Sequence, residues 1–186
     1  MERVLVDVDD LWHEGQITRF LVPIKEQVPD FRVTCYAIPN KLGDVSKLAE
    51  KYPWITFAQH GWEHTPFECR AWTEDIAIMC LERAKQLGYA PIFKPPNWIF
   101  DVEVENACRF REVTLHHHQR HTVSNPVGLS MYPGPKGTQD KNHSYVHSHI
   151  QPNPVTDSIL TNPMFKPEKL LKITSFLTIP EVSVRF

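Results

Sequence analysis

Two histidines four residues apart, His60 and His64, stand in the run F-A-Q-H-G-W-E-H-T-P-F-E with a glycine directly after the first. Residues at that spacing on a helix or tight turn face the same way, so both imidazoles can reach one ion, and Gly61 permits the backbone bend that a ligand turn needs. The pattern alone also describes two solvated loop histidines. Three acids, Asp7, Asp9 and Asp10, stand within four positions in the run V-L-V-D-V-D-D-L-W. Carboxylates this close repel one another without a cation, although Asp9 or Asp10 could equally cap a following helix. In F-K-P-P-N-W the prolines Pro95 and Pro96 fix the backbone and hold Lys94 and Trp98 in place, a feature that also suits a rigid surface turn. In S-Y-V-H-S-H-I, strand alternation puts His147 and His149 on one face, where two imidazoles are costly to bury unless used or paired.

These four segments fall at the ends of predicted strands, where parallel α/β folds place their active sites. Val4 to Val8 is a β-branched run, and Glu14 to Val28 is helix-compatible until Pro29. Phe31 to Ile38 reads as the next strand, Asp44 can cap a helix to Lys51, and Trp54 to Phe57 reads as a third strand. Thr73 caps a helix that Gly88 stops, with Ile76, Met79, Cys80, Arg83, Ala84 and Leu87 at helical spacing. Pro91 to Phe93 reads as a strand, Val102 to Arg109 as a helix and Val113 to His117 as a strand. Asn125 to Asn142, rich in Pro, Gly, Ser and Asn, reads as a long loop, and a loop of that length is often functional. Ser144 to Ile150 is a further strand, Pro152 to Pro163 loop, Pro167 to Phe176 a C-terminal helix and Val182 to Phe186 a final strand. Repeated strand–helix units imply parallel strands with helices outside them.

A chain of 186 residues with 41% hydrophobic residues suits one domain, residues 1–186, with a sizeable core. A net charge of −2 and the lack of a Lys/Arg cluster argue against nucleic acid as a partner. No segment approaches the ~18 consecutive apolar residues of a membrane span. The N-terminus runs straight into a strand-like segment, so the expected location is cytoplasmic. Cys35, Cys69, Cys80 and Cys108 form no C-x-x-C pair, so buried free thiols are expected and any metal must use His and Asp.

Taken in order, Asp-Asp after the first strand, H-G-x-x-H after the third, an aromatic-basic-x-Pro segment and a late strand ending in hydrophobic-His resemble the NodB-homology polysaccharide deacetylases, carbohydrate esterase family 4. R-V-T-C-Y-A-I-P is similar to that family's second strand, and the likeness spans about residues 4 to 150. The resemblance implies a distorted (β/α) barrel and one divalent ion, zinc first, bound by Asp10, His60 and His64. It casts Asp9 as catalytic base and His147 as catalytic acid, with Lys94 orienting Asp9 and Trp98, Trp62 and Pro96 at the substrate. His149, on the same strand face, is the alternative to His147, and Asp7 the alternative to Asp9. The sequence departs from the family pattern in three places. Lys94 stands where arginine is usual, Gly61 where Ser or Thr is usual, and His116-His117-His118 near the place of an acid-tryptophan motif.

The activity this implies is hydrolysis of a carbon–nitrogen amide bond, an acetyl group leaving an N-acetylated sugar or related small intracellular substrate. Two alternatives stay open. V-L-V-D-V-D-D-L-W also looks like the first motif of haloacid-dehalogenase-type phosphatases, with Asp7 as nucleophile, although that mechanism leaves the histidines unexplained. A barrel that binds a sugar or base without turnover, stacking it on Trp12, Trp62 or Trp98, is the other.

Overall fold

The computed structural model describes residues 3–116, 144–153, 157–160, 165–172 and 175–177. Strand β1 (Arg3–Leu11) leads through α1 (Glu14–Gln16), a π turn (Ile17–Leu21) and α2 (Val22–Gln27) to β2 (Val33–Ala37). The helices α3 (Pro39–Leu42) and α4 (Ser46–Lys51) precede β3 (Ile55–His60), and α5 (Glu74–Gln86) precedes β4 (Ile92–Lys94). After α6 (Val102–Phe110) and β5 (Thr114–Leu115) come β6 (Ser144–Asn153), β7 (Asp157–Leu160), α7 (Pro167–Leu170) and β8 (Ser175–Leu177).

The sheet runs β5-β4-β3-β2-β1-β6-β7, with β8 pairing the first residues of β1. Every described pairing is parallel except β6 with β7. This is a distorted (β/α) barrel whose sheet path is open among the described residues. The parallel order is what the strand–helix alternation predicted.

β1 is the axis of the site because both of its faces are buried. Val6 and Val8 sit at 0% exposure in the main apolar core with Ile17, Leu21, Phe31 and Val33, while Asp7 and Asp9 point to the opposite face. Strict alternation would send Asp10 back into the core. Instead the β1–β2 register shifts between Val8 and Leu11, and Asp10 takes φ +67°, so two successive acids serve one site. The parallel registers then bring His147 beside Asp7 and His149 beside Asp9 across β1–β6, and Lys94 beside His60 across β3–β4.

Thr73 caps α5 as expected, its hydroxyl accepting from the Ile76 N–H at 3.3 Å. Its buried face is Ala77, Cys80, Leu81 and Ala84, however, and Ile76 and Met79 of the predicted stripe are exposed. Asp44 accepts from the Ser46 N–H at 2.8 Å at the start of α4. The helix predicted over Pro167 to Phe176 stops at Leu170, and Ser175–Leu177 is strand. Phe176 is buried and meets Phe31 edge-on at 5.5 Å, so an aromatic residue at a sheet edge overrides the helix reading. Within the predicted loop Pro152 to Pro163, β6 continues to Asn153 and β7 folds back on it, a hairpin too short to show periodicity. The predicted Asn125–Asn142 loop and Val182–Phe186 strand lie outside the described residues. All four cysteines are buried and free. Among the described residues no helix is long and apolar enough to cross a membrane.

Candidate active site

Lys94 is the pivot. Its ammonium, 0% exposed, donates to Asp9 Oδ1 at 2.6 Å and to Asp7 Oδ2 at 3.1 Å, and its charge lies 4.3 Å from the Trp98 ring centroid and 4.7 Å from that of Tyr36. Two carboxylates and two aromatic faces replace the water that an amine so enclosed gives up. Trp98 and Asn97 hold φ +61° and +55° in the turn that follows the two prolines. Burial pushes the Asp7 carboxyl up, but Lys94 and His147 outweigh it and hold Asp7 below the usual carboxylate range.

One histidine arm comes from β3. His60 is buried at the strand's end and donates from Nδ1 to the Lys94 carbonyl at 2.9 Å, which leaves Nε2 as a lone pair aimed at the acids. Burial lowers its pKa to about 4 against the pull of Asp9 and Asp10, so it is neutral near pH 7. Gly61 turns the chain at φ +57°, and His64 swings back at φ +63°. The turn is tied by Glu68, whose carboxylate accepts from the amides of Trp62, Glu63 and His64 at 2.9, 3.1 and 3.2 Å. A Cβ on Gly61 would stand 1.8 Å from Glu68 Oε1 and 2.6 Å from Pro96 Cγ. The place of the family's hydroxyl-bearing side chain is therefore filled by Glu68, and the buried Pro96 packs behind the turn.

His64 Nε2 reaches Asp10 Oδ1 at 3.0 Å, and His60 Nε2 lies 3.6 Å from the same oxygen. One donor atom each from Asp10, His60 and His64 falls within 4.8 Å of the others. Asp10 Oδ1 is buried, and among the described residues its neighbours are these two ring nitrogens rather than a well-aligned hydrogen-bond donor. Two imidazoles and one carboxylate oxygen are a donor set that suits a divalent transition metal. Asp7 and Asp9 share the one buried ammonium and Asp10 stands beside them, so three carboxylates face one lysine and the cluster favours further positive charge.

The second arm is β6. His147 is a half-buried imidazole with Nδ1 at 3.0 Å from Asp7 Oδ1, and His149 has Nδ1 at 3.1 Å from Asp10 Oδ2. Their Nε2 atoms are 2.9 Å apart, and His147 Nε2 lies 3.7 Å from Asp9 Oδ2. The neighbouring Asp10 carboxylate holds both His64 and His149 above the usual imidazole range. Trp98 stands edge-on to His147 at 6.4 Å, and Trp62 is half-buried on the turn between His60 and His64. His116 is buried, bonded through Nδ1 to the Tyr36 hydroxyl, while His117 and His118 lie outside the described residues.

The structure thus gathers Asp9, Asp10, His60, His64, Lys94, Trp98 and His147 into one cluster. Asp7 and Glu68 belong to it in roles the sequence did not give them. Asp7 joins Lys94 to His147, a placement hidden because it depends on a strand 140 residues away. Glu68 is visible in the opening run of sequence, four residues past His64, but only the folded turn shows what it binds.

No protein-family model and no curated protein matches this sequence. Solved structures do match by fold. A family 4 acetyl xylan esterase from Clostridium thermocellum, in complex with a cobalt ion, is 13% identical, with 96% of this chain and 89% of that one covered at a TM-score of 0.57. A CE4 family pseudoenzyme from Bacillus anthracis is 10% identical, with 97% of this chain and 65% of that one covered at 0.60. For the family 4 carbohydrate esterase from Streptomyces lividans, in complex with acetate, identity is 14%, the TM-score is 0.51, and the chain spans 62% of that protein's length. These likenesses, together with the parallel sheet and the strand-end cluster, show that the chain carries the NodB-type fold of the family 4 carbohydrate esterases.

Proposed function

We propose that this protein is a metal-dependent hydrolase that removes acetyl groups from an N-acetylated sugar or a related small substrate. The observation that carries the reading is the convergence of Asp10, His60 and His64 around the buried Asp10 Oδ1, beside a second carboxylate, Asp9, held by Lys94. These three residues would hold one divalent ion, zinc first, and the ion would supply Lewis acidity toward a water molecule and the acyl oxygen. Asp9 takes the proton from the attacking water, and Lys94, bonded to its Oδ1, holds that carboxylate in position. A nitrogen leaving group must be protonated, and His147, oriented through Nδ1 by Asp7, delivers that proton from Nε2. Lys94 replaces the family's arginine by a different device: one ammonium bridges two carboxylates and is boxed by Trp98 and Tyr36. Trp98 and Trp62 wall the substrate's approach, and Pro96 backs the ligand turn.

The test is acetate release from N-acetylglucosamine oligomers and from an O-acetylated sugar, with the protein stripped and then reloaded with zinc. Release restored by the ion and lost in Asp9→Asn supports the reading. Full turnover in Asp9→Asn would overturn it. An alkoxide leaves far more readily than an amine anion, so His147→Ala should slow the amide more than the ester. A second reading, sugar binding without turnover, draws support from the fold shared with the B. anthracis pseudoenzyme. Saturable binding with no acetate released in any metal form would select it. The phosphatase alternative needs Asp7 as nucleophile, yet Asp7 is at 0% exposure with its oxygens engaged by Lys94 and His147.

A further inference from the structure

β6 presents a second set of ligand atoms that the proposed reaction does not explain. His147 and His149 both point Nδ1 at ionised carboxylates, those of Asp7 and Asp10. A carboxylate only accepts, so each Nδ1 donates, and the two Nε2 atoms meet in a hydrogen bond of 2.9 Å. Asp9 Oδ2 stands beside this pair, 3.7 Å from His147 Nε2 and 3.8 Å from His149 Nδ1. An ion between the rings would take the place of that shared proton. One donor atom each from Asp9, His147 and His149 falls within 4.8 Å of the others. Two Zn–N bonds of about 2.0–2.1 Å at a tetrahedral angle separate their nitrogens by about 3.3 Å, so a small opening of this triangle admits an ion.

We propose that Asp9, His147 and His149 form a second site for a divalent transition-metal ion, separate from Asp10, His60 and His64 and filled after it. Its outer contacts already have the form of a ligand site: each histidine donates its other ring N–H to a carboxylate, which fixes the tautomer and raises the basicity of the ligating nitrogen. The donors are two imidazoles and one carboxylate, which favour zinc, cobalt or nickel over magnesium or calcium. The His147 and His149 side chains are 22% and 36% exposed, so an ion has an entry path and room to keep a water. Lys94, bonded to the other oxygen of Asp9, and an ion in the first site both repel it, so the affinity is about 100-fold lower than that of the first site. Filling it ties up Asp9 and the Nε2 of His147, so the singly loaded protein is the form competent for the proposed hydrolysis.

The test is metal stoichiometry, which needs no substrate. The full chain, stripped by a chelator, is dialysed against rising zinc chloride, and bound zinc is measured by mass spectrometry; cobalt chloride in its place reports the ligands through visible absorbance. Two equivalents are expected at saturation, the second about 100-fold weaker. His149→Gln and His147→Gln should each keep the tight ion and lose the weak one, with near-ultraviolet circular dichroism confirming the fold. His60→Ala should do the reverse. Saturation of the wild-type chain at one equivalent overturns the second site and leaves the first. Two equivalents persisting in both β6 variants overturn the assignment to these residues. No bound ion at all overturns both sites.

Discussion

The two histidine arms of the cluster reach the same acids by opposite means. His60 and His64 sit at the end of β3 and across a tight turn, with two left-handed residues, Gly61 and His64, and a Glu68 carboxylate gathering three amides to hold the bend. His147 and His149 are held by sheet register alone, two residues apart on β6 beside Asp7 and Asp9. The first arm aims both Nε2 atoms at one carboxylate oxygen. The second aims them at each other. A turn can bend until its donors converge, whereas a strand fixes their separation in advance. The first arm is therefore suited to clasping an ion tightly, and the second to holding its groups at a set distance, for proton transfer or for a weaker ion.

The sharpest break in this comparison is loss of the clasp. Asp10→Ala or His60→Ala should empty the tight site, from about one equivalent to below about a tenth at low free metal, and slow turnover at least ~1,000-fold, as metal analysis and acetate release would record. Lys94→Met strikes the acids that both arms share. It leaves Asp7 and Asp9 buried without their ammonium, and the expected cost is about 3–5 kcal/mol in chemical denaturation. A loss below about 1 kcal/mol would mean that the pair is less enclosed than described. Glu68→Gln alters no ligating atom and none of the three aspartates, yet it loosens the turn that Glu68 ties to the His64 amide and should weaken metal binding about 10- to 100-fold with little change in folding stability. An equal change in His147→Ala would erase the distinction between the arms.

The smallest effect is on pH dependence. Asp10 holds His64 above its usual range, so in the ion-free protein an entering ion must displace a proton from it. Affinity should rise with pH by up to about tenfold per unit below that pKa and level off above it. His60, lowered to about 4 by burial, adds no proton release above that pH. Calorimetry in buffers of different ionisation enthalpy should find about one proton released near pH 6 and almost none near pH 9. Constant release across that range would put the displaced proton elsewhere.

Much of this was legible in the sequence because it rests on local pattern. The β-branched runs, the Thr73 cap and the H-G-x-x-H run each carry their own signal, and the order of segments carries the fold. What stayed hidden depends on partners distant in the chain. Period-two alternation would have separated Asp9 from Asp10, and only the irregular register at Asp10 reunites them. Asp7 looked like a spare acid because its partners lie on β4 and β6. The end of the predicted C-terminal helix became β8 because its apolar residue finds a place against β1 and Phe31, information that no helical window contains.

The pairing of β1 with β6 has a consequence for how the molecule comes together. Register partners such as Asp7 and His147 lie 140 positions apart, so the chain must close a very long loop before they meet. Until then β1 is the open border of a growing sheet, with unpaired amides and carbonyls along one side. Contacts of such long range slow the search for the native state. Docking of β6 should be a late event, and a chain cut before Ser144 should keep its first strands folded yet tend to associate through that border.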